Sequence, residues 1–298
     1  MGHPQSPAQV LPIGAADRDA ACRLVFRRLP ATLHPQQMAA LTGDEVLLGG
    51  YRGSRLVGAV LAQPQAVDAA TLWPPQVLDD ESSETAGELL AAAMRQLAQR
   101  QVRLVQTLLE TDAQPEAAVL LAGGFSHATD LLYLDCHEGV FPTTRPETSL
   151  AFESVETAGP ERLVRVVEAT YVETLDCPVL NGVRSVADVL AGYRASGVFD
   201  SHAWLIASHA GRDVGCLILT AYPEHGFWEL TYMGVVPGGR GHGWGADLAR
   251  HAQWLARQAG QPRLVLAVDA RNDPAIRAYA GVGFHAWDRR SVYLKMSL

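Results

Sequence analysis

Short apolar runs separated by turn residues fill the second half of the chain. "HAWLIAS" (202–208), "DVGCLILTA" (213–221) and "FWELTYMGVV" (227–236) each have the length and the aromatic or β-branched content of a strand. Their connections, "HAGR" and "YPEHG", are too short for a crossover, so the three strands are expected as antiparallel neighbours. Ahead of them, "FESV" reads as a strand and "PERLVRVVEATYVETL" (160–175) as a helix with Pro160 in its first turn. A second helix is expected near "SVADVLAGYRASG". Farther on, "GADLARHAQWLARQAG" changes to helical spacing and stops on Gly260. "RLVLAVD" is then a strand, and "DPAIRAYAGVG" a short helix with Asp273 as N-cap and Pro274 at its first position. "FHAW" and "SVYLKM" are the last strands.

The first half repeats this plan faintly. "GSRLVGAVLAQ" (53–63) matches "GRDVGCLILTA" (211–221), and "LLAGGFSHATDLLYLDC" (120–136) matches "YAGVGFHAWDRRSVYLKM" (279–296). Gly58 and Gly124 lie 66 positions apart, and Gly215 and Gly283 lie 68 apart, which points to a tandem duplication. The Pro- and Thr-rich stretch "CHEGVFPTTRPETSLAFE" reads as the connection. The expected division is therefore a first domain over 1–138, a linker over 139–150 and a second domain over 151–298, each of α/β character.

Composition narrows the setting. With 48% hydrophobic and 19% charged residues in 298, two buried cores are feasible. A net charge of −8 argues against a general nucleic-acid binder. The four cysteines, Cys22, Cys136, Cys177 and Cys216, are widely spaced, which favours free thiols over a disulfide framework or a zinc site. No leader-like start and no apolar run of 18 residues is evident, so a cytoplasmic protein without membrane contact is expected.

Chemistry concentrates in "VVPGGRGHGWGADLA" (235–249), where five glycines separate a strand from a helix. Free N–H groups at a helix N-terminus bind anions, and missing side chains let a phosphate approach the backbone. A glycine-rich turn without a ligand is the alternative. The loop is not a Walker A sequence, because Gly-Lys-Ser/Thr is absent; nor does it open a βαβ unit.

"RGHGWG" fits Arg/Gln-x-x-Gly-x-Gly/Ala, and with the order of elements it resembles the GNAT superfamily of N-acetyltransferases. The resemblance implies two tandem GNAT-like domains, each a mixed, mostly antiparallel sheet flanked by helices. It implies that Arg240, Gly241, His242, Gly243, Trp244 and Gly245 hold the pyrophosphate of acetyl-CoA, with Val235 and Val236 along its pantetheine arm. Asn272, Tyr279, Gly283 and Phe284 fall at the places of the superfamily's second cofactor segment, and Asn272 serves equally as a helix cap. Acetyl-CoA would be a substrate, and no metal is required.

Acyl transfer to an amine needs a base, because an alkyl ammonium titrates near 10.4, and an acid for the departing thiolate. Glu229, between Trp228 and Leu230, stands where the superfamily commonly carries a glutamate base; a solvent-facing or arginine-paired glutamate is the alternative. Tyr279 has a proton to give at neutral pH, or packs on the sheet. Asp176, Asn181 and Arg184 either read an acceptor or brace a turn, and Tyr193, Tyr222 and Tyr232 are candidates to line the acceptor groove. Cys177 has no evident base partner, and His202, His209, His225 and His285 lack metal-ligand spacing.

The first half departs from the pattern. Asp79, Asp80, Glu81 and Glu84 stand where its glycine loop should be, and Leu120 where Tyr279 has its counterpart. A degenerate first domain and a live second one are expected. The leading reading is an N-acetyltransferase acting on a small-molecule or peptide amine, as a monomer or homodimer. A catalytically inactive CoA-binding regulatory or assembly module is the alternative, and an acyl chain longer than acetyl is also open.

Overall fold

The computed structural model describes residues 7–39, 41–65 and 68–296. The chain forms two compact units, Met1–Ala128 with Ser291–Leu298, and Thr129–Arg290. Elements of the first are β1 (Gln9–Pro12), α1 (Arg18–Val25), α2 (His34–Ala39), β2 (Val46–Arg52), β3 (Arg55–Pro64), β4 (Ala69–Val77), α3 (Ser83–Gln99), β5 (Leu104–Glu110) and α4 (Gln114–Ala122). Strand β6 (Ser126–His137) leads into the second unit. There follow β7 (Ala151–Ser154), α5 (Val155–Ala158), α6 (Pro160–Tyr171), α7 (Val186–Ala195), β8 (Trp204–His209) and β9 (Arg212–Tyr222). The unit is completed by β10 (Phe227–Val235), α8 (Trp244–Gln258), β11 (Arg263–Asp269), α9 (Asp273–Ala280) and the first half of β12 (His285–Met296).

In the first unit the strand order is β1-β2-β3-β4-β5. All pairs are antiparallel except β4 with β5. In the second it is β6-β11-β10-β9-β8-β7, with β10 and β11 the parallel pair. Each sheet is therefore mixed and mostly antiparallel, with helices on both faces. The period of two shows why. On β2 and β3, Val46, Leu48, Val60 and Ala62 meet α3 through Leu89, Leu90 and Ala93, while Leu47, Ala59 and Leu61 meet Cys22 and Val25 of α1. On β9, Leu217 and Leu219 pack with Leu248, Ala249 and Ala252 of α8, while Cys216 and Ile218 pack with Leu163, Val166 and Val167 of α6.

The structure adjusts several expected boundaries. Helix α6 stops at Tyr171, four residues before the end of the periodic stretch. Asn272, rather than Asp273, caps α9: its side chain accepts from the Ala275 N–H, and Pro274 is the second helical residue. "FHAW" and "SVYLKM" are parts of one strand, β12. Within 139–150, Phe141 and Leu150 are buried in the second unit's core.

Candidate active site

Strands β10 and β11 pair only at Trp228↔Leu264 and Glu229↔Val265, then diverge. A bulge between Leu230 and Tyr232 bends β10 at that point. The opened wedge is a cavity of about 540 Å³ lined by Leu230–Val235, Ala267 and Val268, the glycine loop, the start of α9 and residues 173–176.

The glycine loop ends the wedge at the N-terminus of α8. Gly241 (φ +85°) and Gly243 (φ +80°) hold left-handed backbone, which explains their residue type. A Cβ at either would meet no heavy atom within 4 Å, so the space beside the backbone is open. The Ala246 and Asp247 N–H groups turn back to the Gly243 carbonyl (3.0 and 3.3 Å). The N–H groups of Gly241, His242, Gly243, Trp244 and Gly245 have no acceptor among the described residues. Free N–H groups at a helix N-terminus favour an anion.

The Arg240 side chain is differently engaged. Its guanidinium donates to the carbonyls of Thr170 (3.1 Å), Val172 (2.7 Å), Glu173 (3.1 Å) and Val235 (3.2 Å). Three of these are carbonyls at and just past the C-terminal end of α6, where a cation is favoured by the helix dipole. Arg240 thus ties α6 and β10 to the loop. The exposed ring of His242 lies on Trp244 (4.8 Å, 20°), which lines the cavity. Val235 lines the cavity too, while Val236 donates its N–H to the Val214 carbonyl (2.9 Å).

At the other end stands Tyr279, buried at 6% exposure against Phe284 and lining the cavity. Burial, with the charge of Asp176 added, raises its pKa well above the ordinary tyrosine range, so it is a neutral donor. Asp176 lines the same cavity. Its Oδ1 accepts the Asp269 N–H (3.2 Å), and the buried Asp269 carboxylate accepts the Cys177 N–H (3.1 Å). This reciprocal clamp holds Cys177 at φ +42°, a costly conformation for a non-glycine residue. Loss of water pushes the Cys177 thiol up to about 11, which keeps it protonated rather than nucleophilic.

Glu229 is half-buried beside the pairing point, hydrogen-bonded to Tyr222. Burial raises its carboxyl pKa, and the Tyr222 hydrogen bond partly offsets this. It lies next to the lining residue Leu230. Asn181 donates to the Tyr171 carbonyl (3.4 Å) and Arg184 to the Asp188 carbonyl (3.2 Å), both bracing the segment after α6. Among the described residues no group of three His, Cys, Asp or Glu is placed to hold a metal, and no helix is long and apolar enough to cross a membrane.

The first unit has the same wedge. Strands β4 and β5 pair at Ala69–Thr71 and then separate, but the Thr107 hydroxyl donates to the Leu72 carbonyl (2.8 Å). At the N-terminus of α3, the Glu81 carboxylate accepts the Ser82 N–H (2.9 Å), the Thr85 hydroxyl (3.0 Å) and a two-pronged Arg52 guanidinium (2.6 and 2.7 Å). The arginine and these donors hold Glu81 at a pKa of about 2. Glu116, third in α4 as Ala275 is third in α9, is buried and paired with Arg28 (2.6 and 2.8 Å) and Gln76 (3.2 Å). Leu120 occupies the seventh position, as Tyr279 does in α9, and is fully buried. The sequence reading missed the Arg240 brace, the Asp176–Asp269 clamp and the Arg52–Glu81 pair ahead of α3. All three depend on contacts remote in sequence or on a side chain's direction.

A strand wedge, a glycine-edged helix N-terminus and a buried tyrosine thus meet on one cavity. Residues 173–284 match the acetyltransferase (GNAT) family. The mycothiol acetyltransferase of Arthrobacter sp. (strain FB24) is 32% identical over 109 residues, covering 35% of this chain and 34% of that protein. That of Thermomonospora curvata is 25% identical over 201 residues, covering 66% and 65%. The chain thus spans about a third of the length of the first two curated relatives, at 34% and 31%. Among solved structures, the GCN5-related N-acetyltransferase from Sphaerobacter thermophilus is similar with a TM-score of 0.66 at 16% identity, covering 97% of this chain and 95% of that one. A tandem GNAT protein from the clavulanic acid biosynthesis pathway is similar with a TM-score of 0.55 at 16% identity, covering 97% and 98%. These likenesses establish the fold across both units.

Proposed function

We propose that the second unit transfers an acetyl group from acetyl-CoA to an amine acceptor by direct attack. The observation that carries this reading is the convergence of the open α8 N-terminus, the splayed edge of β10 and Tyr279 on one cavity. The N–H groups of Gly241 to Gly245 would receive the pyrophosphate, and the β11-facing edge of β10 up to Val235 the pantetheine amides. Arg240 braces that loop, and Asn272 fixes the start of α9.

In the reaction, Glu229 takes a proton from the acceptor's ammonium, directly or through water, which frees the nitrogen lone pair. Burial, which raises its pKa, makes it a stronger base than a solvent-exposed carboxylate. The amine adds to the thioester carbonyl; as the new C–N bond persists and the C–S bond breaks, the second nitrogen proton leaves to solvent. Tyr279 donates its phenolic proton to the departing thiolate and is reprotonated from solvent. Cys177, protonated and clamped, has no part in an acyl-enzyme route. The first unit, with its own carboxylate at the α3 N-terminus, serves as a non-binding partner domain.

Two measurements on the full chain test this: calorimetric titration with acetyl-CoA, and thiol release with a panel of primary amines. A mycothiol precursor belongs in that panel, given the names of the relatives. Binding together with amine-dependent thiol release is expected. Binding without release from any amine would favour the inactive CoA-binding module, and absence of binding would overturn both readings.

A further inference from the structure

Asp269 is the last residue of β11, four beyond the Glu229↔Val265 pair after which β10 leaves that strand. The next N–H, that of Ala270, still reaches the Asp130 carbonyl on the β6 side (2.8 Å), so the Asp269 N–H faces the opened wedge. With β10 already diverging, it donates to Asp176 Oδ1 (3.2 Å). The carboxylate of Asp269 is fully buried and collects donors from two segments. Oδ2 accepts the Cys177 N–H (3.1 Å), Oδ1 accepts the Arg271 N–H (2.8 Å), and the Arg271 guanidinium reaches both oxygens (3.3 Å each). Burial alone would raise its pKa, but Arg271, Thr129 and the backbone donors outweigh it and hold the group below the ordinary aspartate value, so it is ionised at neutral pH. Its carbonyl accepts the Asn272 N–H (2.9 Å), and Asn272 caps α9.

One residue thus touches two segments of the cavity wall. Residues 173–176 line it, and so do Asn272 and Tyr279 at the two ends of α9. We propose that Asp269 is a positioning residue for the reaction: from one buried carboxylate it sets residues 173–177 and the start of α9 against each other, and through α9 it sets where Tyr279 stands. The inference rests on the acetyl-transfer reading. In a splayed wedge the strand ladder cannot fix these segments, whereas a carboxylate with donors on both can. Charge-assisted hydrogen bonds are short and strong, and a buried charge tolerates the loss of its partners poorly, so this tie is stiffer than a neutral contact. An apolar residue here would strand the Cys177 and Arg271 N–H groups. Cys177 carries the second mark of the tie. Its φ of +42° is left-handed backbone, which a non-glycine residue keeps only where its surroundings over-determine it. Asp269 supplies that constraint through the Cys177 N–H, and again through Asp176 one residue earlier.

Asp269→Asn in the full chain tests this. It keeps the shape of the side chain, but its NH2 must face either the Cys177 or the Arg271 N–H, so one tie is lost. We expect kcat in the thiol-release assay to fall about tenfold to a hundredfold, the scale of a small misplacement in an active site. Calorimetric affinity for acetyl-CoA should stay within about threefold, because the N–H groups at the mouth of α8 are untouched. Adding Cys177→Gly to Asp269→Asn should restore part of kcat, since glycine holds left-handed backbone without the clamp. Amide hydrogen exchange read by mass spectrometry follows the clamp without turnover: Asp269→Asn should exchange faster over 173–177 and 271–276 and be unchanged across α8. Wild-type kcat in Asp269→Asn would overturn the proposal. So would a loss of kcat, affinity and protection throughout the unit that glycine at 177 does not relieve, which would make Asp269 a general core residue. Thiol release from no amine by the wild-type chain would instead remove the acetyl-transfer reading, and unchanged exchange in both segments would remove the clamp whatever the turnover.

Discussion

The two units solve the same backbone problem in opposite ways. Each splays a parallel strand pair and starts a long helix at the mouth of the wedge, and a helix start offers N–H groups and a positive dipole end. In the first unit the chain provides its own anion: Glu81 accepts the Ser82 N–H just ahead of α3, and Arg52 neutralises it. Farther in, Glu116, the third residue of α4, is held by Arg28 and Gln76, whereas the third residue of α9, Ala275, lies on the cavity wall. In the second unit glycines keep the mouth clear, and the arginine beside them is turned to carbonyls instead of a ligand. Fold alone therefore does not decide whether the mouth of a wedge is open. A few side chains at the helix mouth and along the short following helix do.

The comparison can be broken by making one mouth resemble the other. Gly243→Glu puts a carboxylate at the α8 N-terminus, where it would act as Glu81 does at α3. We expect acetyl-CoA affinity to fall by at least about a hundredfold, since an anion site is both filled and repelled. The positive φ at Gly243 adds about 1–2 kcal/mol of strain, so a thermal melt should show a folded but less stable chain. The wild-type chain should bind one equivalent of CoA. A second equivalent that survives Gly243→Glu would show that the first unit's mouth is open after all.

A comparable change in rate is expected deeper in the cleft. Tyr279→Phe gives that position the apolar character of Leu120, removing only a hydroxyl. We expect kcat to drop by about 10²-fold with acetyl-CoA affinity little changed. Wild-type turnover in this variant would assign thiolate protonation to water. Glu229→Gln should lose most activity near neutrality and regain part of it at high pH, where the amine is already uncharged. A loss independent of pH would make Glu229 a positioning group.

The smallest effect separates the units by acid stability. His251 is buried against Phe152, its Nδ1 has no hydrogen-bond partner among the described residues, and burial together with the charge of Arg145 lowers its pKa to about 4. The native state favours neutral imidazole, so below the unfolded value of about 6.5 the unfolded chain binds a proton that the native one refuses. Stability is then lost as pH falls from about 6.5 to 4, by at most about 3 kcal/mol. Glu81 behaves differently: its stabilisation is intact above about 4.5 and is lost as pH falls toward about 2. Denaturant melts of His251→Leu and Glu81→Gln should flatten the upper and lower ranges respectively. A wild-type stability unchanged between pH 7 and 5 would contradict the upper one.

Much of this architecture is legible in the sequence, because strands 202–236 and helix 245–258 are bounded by clear turn and glycine signals. The glycine loop marks the mouth of the cavity because residues at positive φ leave their type behind. Arg240 was legible as a member of the motif but not in its direction, since nothing in "RGHGWG" shows that α6 ends within reach of its guanidinium. Likewise, acidic residues 79–84 read as an unfavourable mouth, but only the fold shows that Glu81 itself occupies it. The stretch 139–150 looks like a linker by composition, and hydropathy does not say which core Phe141 and Leu150 enter.

The division of β12 has a consequence for how the protein comes to exist. The first unit includes Ser291–Leu298, so a ribosome that has made residues 1–128 has not yet made all of that unit. Until the segment after Arg290 emerges, β5 lacks its neighbour β12, and an unpaired strand edge is a template for wrong partners. The second unit can close earlier, since its residues are continuous from Thr129 to Arg290. Vectorial synthesis would thus favour the later unit completing first, the reverse of the usual N-terminal-first order of domain folding.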